Sequence, residues 1–195
     1  MKVVNRLVLA VSFMFASIAN ANVVLTLDPL NQDAVVGDLA SVNITIDGLG
    51  DCVPLSLSAF DIDVAFDTSA LSFVGYNLSN GLGEIDFFEA IDQSWGEVAP
   101  GFVNVSEISL LSAFDLWDFQ PGSFALAELV FEVIAATAVS GLQFAFDYLV
   151  DVNGDTINII GVNNATVTAV PAAAALALIA LGFVAMFAIQ KRHSA

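Results

Sequence analysis

The sharpest candidate for site chemistry in this sequence is a short acidic loop. Asp151, Asn153 and Asp155 place side-chain oxygens at alternate positions around Gly154. Many calcium-binding loops begin in this way, because alternate side chains converge on one centre. A full EF-hand or dockerin loop is absent, since Val162 stands where the bidentate acid belongs. Two interpretations stay open: a weak Ca²⁺ site, the only cofactor considered, or a hairpin turn whose Asp residues cap backbone amides.

Two tryptophans, Trp95 and Trp117, are the candidate ligand-binding residues. They belong to residues 84–120, where aromatic side chains alternate with acidic ones. Exposed rings beside carboxylates suit a polysaccharide, because the rings stack on sugars while carboxylates accept hydrogen bonds from hydroxyl groups. The alternative is that these aromatics fill the core of the fold. Paired carboxylates also occur in glycosidases, but chance pairs are unavoidable in so acidic a chain.

The distribution of charge excludes several classes of function. All 21 acidic residues lie from Asp28 to Asp155, whereas the four Lys and Arg residues lie within the first six and the last five positions. Such a body repels nucleic acid, whose phosphates must be neutralised by Lys or Arg. The one histidine, His193, belongs to the C-terminal tail. Catalysis by histidine and zinc sites built from histidine are therefore excluded from the body. We predict a protein that is not an enzyme.

The elements that position these residues are predicted to be β-strands. Residues 59–66 alternate strictly, which predicts a strand with Asp61 and Asp63 facing solvent. With Asp67 in the next turn, these acids are interpreted either as cation ligands or as a solvated face. Further strands are predicted at residues 23–27, 39–46, 71–74, 102–106, 108–114, 125–134, 144–146, 156–160 and 165–168. Turns are predicted at residues 151–155 and 161–164, and no helical stretch is expected, so the fold class is an all-β sandwich.

One domain is expected, covering residues 22–169. Its high apolar content argues against disorder despite the charge. The single cysteine, Cys52, cannot form an internal disulfide, so stability must come from the core. Cys52 is either buried or paired with another molecule.

The first 21 residues have the three parts of a secretory signal peptide. Lys2 and Arg6 give a basic start, residues 7–19 are apolar, and an Ala-x-Ala site ends at Ala21. The apolar run is too short to span a bilayer comfortably. We predict cleavage by signal peptidase between Ala21 and Asn22, and therefore an exported protein.

Residues 170–195 have the layout of a membrane-inserted sorting tail. Residues 172–189 are uncharged, and 18 residues form a helix of about 27 Å, enough to cross a bilayer core with Lys191 and Arg192 on the cytoplasmic side. Val170-Pro171, the apolar span and the basic end together resemble the PEP-CTERM sorting signal of Gram-negative bacteria that produce exopolysaccharide. That resemblance implies processing by an exosortase and release to the envelope or the extracellular matrix. The alternative is a plain C-terminal membrane anchor.

The body resembles a cohesin-like domain, a jelly-roll sandwich related to some carbohydrate-binding modules. The resemblance rests on Val36-Gly37-Asp38 before the strand at residues 42–46, on residues 60–74, and on residues 122–133. It implies binding of a protein module or a polysaccharide, without catalysis. We therefore predict an exported surface or matrix binding protein. The alternative is a passive acidic component of a matrix or biofilm, without a specific ligand.

Overall fold

Strands dominate the computed structural model, which describes residues 23–49, 56–135 and 139–170. The strands are β1 (Val23–Asp28), β2 (Asn31–Val35), β3 (Leu39–Asp47), β4 (Leu57–Phe66), β5 (Leu71–Leu78), β6 (Ala90–Asp92), β7 (Gly96–Ala99), β8 (Phe102–Ser109), β9 (Ser123–Val133), β10 (Ser140–Asp151), β11 (Ile159–Asn163) and β12 (Ala165–Val170). The helix α1 (Ala113–Phe119) lies between β8 and β9, and 3₁₀ turns at Asn80–Leu82 and Ile85–Phe87 precede β6.

These strands form two sheets that enclose one core. The smaller sheet has the order β11-β1-β3-β9-β5, and the larger has the order β2-β12-β10-β4-β8-β6 with β7 paired to β8. Neighbouring strands are antiparallel except for β1 with β11 and β2 with β12. Buried side chains from both sheets make up a single hydrophobic cluster. The predicted β-sandwich is confirmed.

Alternation in the sequence correctly predicted which side chains of β4 face the core. Phe60, Ile62 and Val64 are buried, whereas Asp61 and Asp63 point away from the core. Because successive side chains of a strand point to opposite sides, every second residue of β4 packs against the smaller sheet.

Strand β9 lies in the smaller sheet between the central strand β3 and the edge strand β5. Its inward residues Leu129, Phe131 and Val133 are fully buried. The Phe131 ring lies 5.1 Å from that of Phe66 and 5.8 Å from that of Phe73. This aromatic contact joins the two sheets through side chains that are far apart in sequence.

The strand predicted at residues 108–114 is wrong, and so is the expectation that no helix occurs. β8 continues unbroken to Ser109, and α1 begins four residues later. Ser112 caps this helix, because its side chain accepts a hydrogen bond from the Asp115 amide at 3.2 Å. Leu116 is buried and fixes α1 against the sandwich. A short capped helix with one buried residue leaves too little periodicity to recognise.

The predicted boundaries after residue 143 are also wrong in part. Residues 144–146 lie inside the long strand β10, which contains a bulge between Phe144 and Phe146. The predicted turn at residues 161–164 is mostly strand, because β11 pairs in parallel with β1. The strand predicted at residues 156–160 begins only at Ile159. Pairing with a strand from the opposite end of the chain carries no local signal.

Several predictions fall outside the described residues. They concern the signal peptide with its Ala21–Asn22 cleavage site, Cys52, and the tail from Pro171 through Lys191 and Arg192. In the part of the chain that the structure describes, no helix is long and apolar enough to cross a membrane.

Candidate binding surface

The side of the larger sheet that faces away from the core carries acidic and aromatic side chains together. Residues directly opposite in antiparallel strands point to the same side of a sheet. Asp61 therefore lies beside Tyr148, and Asp63 beside Phe146. We call this surface the outer sheet face, and its central members are Asp61, Asp63, Asn104, Ser106, Phe146 and Tyr148.

Asn104 organises the acidic centre of the outer sheet face. Its side-chain nitrogen donates to Oδ1 of Asp61 at 2.7 Å and to Oδ1 of Asp63 at 2.8 Å. Its side-chain oxygen accepts a hydrogen bond from the Trp95 amide at 3.2 Å. Since Asn104 is buried, its amide fixes both carboxylates and the backbone of Trp95. The two acids form a fixed acceptor group rather than a loose solvated pair.

Aromatic side chains border this acidic centre. Trp95 is 82% exposed, and Phe102, Phe146 and Tyr148 are exposed as well. The Tyr148 hydroxyl accepts a hydrogen bond from the Thr156 side chain at 3.3 Å. Large rings held at a surface bury much area on binding at little entropic cost, so this face is suited to recognition.

The third acid of the predicted group, Asp67, lies apart from the other two. Its carboxylate accepts hydrogen bonds from the amide and hydroxyl of Ser69, at 2.9 and 2.7 Å. These bonds hold the pKa of Asp67 below its usual value. Asp67 thus shapes the turn between β4 and β5, and the structure does not bring it to Asp61 and Asp63.

Trp117 lies on α1, not on the outer sheet face. Its ring packs edge-on against Phe114, with ring centres 6.0 Å apart. The Gln120 side chain anchors the end of α1 by bonding both backbone groups of Leu57, at 2.7 and 3.0 Å. Leu57 begins β4, where that strand pairs with the end of β8, whereas Trp95 bonds near the start of β8. The two predicted ligand-binding tryptophans therefore belong to different surfaces.

The acidic loop after β10 has the hydrogen bonds of a capped turn. Oδ1 of Asp151 accepts from the amides of Asn153 and Asp155, at 2.8 and 2.9 Å, and Gly154 adopts a positive φ of 85°. This is the geometry that the turn interpretation requires. Across residues 23–49, 56–135 and 139–170, no three His, Cys, Asp or Glu side chains are grouped to hold a metal ion. Calcium binding by this loop stays a prediction.

Glu107 is a buried acid that the sequence analysis missed. It lies on the inner side of β8, opposite Asp92 of β6, and neither carboxyl oxygen has a hydrogen-bond partner among the described residues. Tyr76 donates a hydrogen bond to Asp92 at 2.9 Å. Burial raises the pKa of Glu107 to about 8, and the Asp92 carboxylate adds to the rise. Glu107 is therefore largely protonated at neutral pH.

Solved structures of other proteins share the fold of this chain. No family model matches the sequence, and no curated protein matches it. The body is a cohesin-like sandwich. The structure of CaCohA2 from Clostridium acetobutylicum is 20% identical with a TM-score of 0.60, and the match covers 78% of this chain and 94% of that one. A non-cellulosomal cohesin from Archaeoglobus fulgidus is 12% identical with a TM-score of 0.58, covering 77% and 92%.

A type I cohesin–dockerin complex from Clostridium thermocellum is also similar, at 12% identity and a TM-score of 0.60, with 76% of this chain and 99% of that one covered. At these identities the likeness concerns the fold. The predicted cohesin-like architecture is thus confirmed for the body, while a ligand must be argued from the surfaces of this chain.

Proposed function

We propose that this protein is an exported cell-surface or matrix module that binds a partner protein through the outer sheet face. The observation that carries the proposal is the set of exposed aromatic rings around the two carboxylates held by Asn104. Similarity to a cohesin that was solved in complex with a dockerin supports protein docking as the function. The proposal gives the chain no catalytic role.

The chemistry of the outer sheet face favours a partner with aromatic or apolar anchors and hydrogen-bond donors. Ile91 and Ile108, opposite each other on β6 and β8, extend the apolar part of the face. Asp61 and Asp63 act as acceptors only, because ionised carboxylates have no proton to donate. Apolar contact area with a few fixed polar groups is the usual composition of a protein interface.

Polysaccharide binding is the second candidate function. The exposed Trp95 ring supports it, because a flat indole stacks on a sugar ring while Asp61 and Asp63 accept hydroxyl hydrogen bonds. This candidate uses the same face, so both ligands depend on Trp95.

Export and sorting belong to the proposal as well. The signal peptide directs the body across the inner membrane, and cleavage after Ala21 releases it. The tail from Pro171 to Arg192, which follows Val170 at the end of β12, either holds the body at the envelope or is removed by an exosortase-type enzyme. Mass spectrometry of the protein recovered from the envelope and from the medium measures both ends of the mature chain.

Docking is tested by replacing aromatic residues of the outer sheet face. The variant Trp95→Ala/Tyr148→Ser is expected to retain about tenfold less partner protein than the wild type, because central aromatic residues carry much of an interface's free energy. The immobilised proteins are exposed to envelope extract and culture medium of the producing cells, and bound proteins are quantified by mass spectrometry. Affinity electrophoresis in extracellular polysaccharide tests the second candidate with the same variant.

The matched control is Val74→Ser, which removes an exposed apolar side chain from β5 of the smaller sheet. It is expected to retain the same partners as the wild type. Equal retention by all three proteins, or loss with Val74→Ser alone, would refute docking through the outer sheet face.

A further inference from the structure

A second surface at the end of the sandwich combines a cleft with exposed aromatic rings. Residues 84–89 and residues 111–119 border this cleft, whose volume is about 470 Å³. The Leu110 amide bonds the Glu89 carbonyl at 2.7 Å, which holds the two segments together. We call it the end cleft, and its acidic lining residues are Glu84, Glu89, Asp115 and Asp118.

The loop between the lining residues Glu84 and Glu89 exposes two large aromatic side chains. Phe88 is 86% exposed and Phe87 is 71% exposed, at the tip of the loop between Glu84 and Glu89. Backbone bonds from the amides of Phe87 and Glu89 to the Glu84 carbonyl, at 3.2 and 3.1 Å, close this loop. Clustered exposed apolar side chains of this kind mark interaction surfaces.

Phe88 is held in a backbone conformation that aromatic residues rarely adopt. Its φ is 62°, in the left-handed region, and its amide bonds the Ile85 carbonyl at 3.0 Å. Such a conformation costs a bulky L-residue free energy, and strained residues of this kind concentrate at functional sites. The loop thus keeps a large ring in solvent against its own conformational preference.

Helix α1 presents the same combination on the other side of the cleft. Asp115 and Asp118 are three residues apart and line the cleft, while Phe114 and Trp117 form the neighbouring pair of exposed rings. Residues three apart lie on one face of a helix, so α1 offers an acidic stripe beside an aromatic one. Both segments that border the cleft therefore carry exposed aromatic rings next in sequence to the carboxylates that line it.

The negative charge of the end cleft determines which kind of ligand it can bind. No Lys, Arg or His occurs between Arg6 and Lys191. The body of the chain therefore supplies no basic side chain that could form an ion pair with the four carboxylates of the end cleft. A guanidinium or ammonium group suits both the carboxylates and the aromatic rings of this surface, because it forms ion pairs with carboxylates and also lies favourably over aromatic faces. A neutral sugar would leave the repulsion among the carboxylates in place.

We propose that the end cleft docks a protein segment in which Arg or Lys side chains alternate with apolar ones. This surface is distinct from the outer sheet face, and the inference does not rest on the function proposed for that face. The basic side chains enter the cleft between Glu84, Glu89 and Asp118, and the apolar ones cover Phe88 and Trp117.

The test uses a fluorescein-labelled 12-residue peptide that alternates Arg with Leu, titrated with the purified protein at near-physiological salt. Phe88→Gly and Asp118→Asn are each expected to weaken binding by about threefold to tenfold, as loss of a cation–π contact or a charge pair predicts. Glycine accepts a φ of 62° without strain, so Phe88→Gly keeps the loop intact. The same peptide with Glu in place of Arg is expected not to bind.

The matched controls are Glu132→Gln, which removes one exposed charge from β9, and Trp95→Ala on the outer sheet face. Both are expected to leave binding of the Arg-Leu peptide unchanged, whereas Trp95→Ala impairs partner capture by the outer sheet face. Equal weakening by Asp118→Asn and Glu132→Gln would overturn the proposal, because a diffuse polyanion responds to any lost charge. Unchanged binding by Phe88→Gly would overturn it too.

Discussion

Phe131→Ala is expected to lower the free energy of unfolding by about 3–5 kcal/mol, as large-to-small replacements of buried aromatic residues do. Phe131 is fully buried near the end of β9 and contacts the rings of Phe66 and Phe73. Its removal leaves a cavity between the two sheets that the neighbouring strands cannot close, because their positions are fixed by hydrogen bonds to β9. Urea unfolding followed by circular dichroism measures the loss.

The control for this prediction is Phe87→Ala, which removes the same side chain from a position that is 71% exposed. Its free energy of unfolding is expected to stay within about 0.5 kcal/mol of the wild type, as surface replacements usually do. Similar losses in both variants would contradict the assignment of Phe131 to the core and of Phe87 to the surface.

Glu107→Gln is expected to remove a pH dependence from the stability of the protein. Burial holds the folded-state pKa of Glu107 near 8, whereas the unfolded value is close to 4.5. Between these values the folded state binds one proton more than the unfolded state, so rising pH destabilises the wild type. The contribution is fully present below pH 4.5 and is lost as pH passes through 8. Relative to the variant, the wild type should lose about 4 kcal/mol between pH 5 and 9.

Urea unfolding at a series of pH values measures this difference, with Glu128→Gln as the control. Glu128 lies near the surface, where a hydrogen bond from Asn77 at 2.9 Å lowers its pKa. Its stabilising contribution is therefore constant above about pH 5, and its difference from the wild type should be flat across the same range. A flat difference for Glu107→Gln as well would show that Glu107 is ionised in the folded state.

Sequence patterns predicted the parts of the fold where one side of a strand is buried. Strand β4 is the clearest case, because Phe60, Ile62 and Val64 must face one way for Asp61 and Asp63 to face the other. For β9, alternation separated Leu129, Phe131 and Val133 from Glu128, Val130 and Glu132 but left the segment ambiguous, because apolar residues occur on both sides. Since a slip of one residue exposes the whole apolar set, alternation fixes the orientation of such strands without knowledge of their partners.

The candidate surfaces depend on which strands are neighbours and in what register they pair, and local sequence patterns do not reveal either. Asn104 reaches Asp61 and Asp63 only because β8 lies beside β4 in one particular register. The aromatic residues between 84 and 120 left two interpretations open, since an irregular segment has no periodicity to separate inward from outward side chains. The rings at Trp95, Phe88 and Phe114 are exposed, so they do not fill the core, and ligand binding by Trp95 stays a prediction.

The burial of Glu107 could have been predicted from the sequence. Val103, Val105 and Glu107 occupy alternate positions of β8, and the first two are core residues. Extending β8 to Ser109 instead of ending it at residue 106 would have placed this acid in the interior. The error at the strand boundary therefore concealed the buried carboxyl group.

Fluorescence of the two tryptophans tests most directly the claim on which both proposed surfaces depend, that aromatic rings of this sandwich lie in solvent. The account predicts that the native protein emits at a wavelength close to that of the urea-unfolded chain and that acrylamide quenches this emission efficiently. The variant Trp117→Phe, which retains only Trp95, should be quenched more than Trp95→Phe, which retains only Trp117. Blue-shifted emission that acrylamide quenches only after unfolding would place the rings in the core and contradict the account.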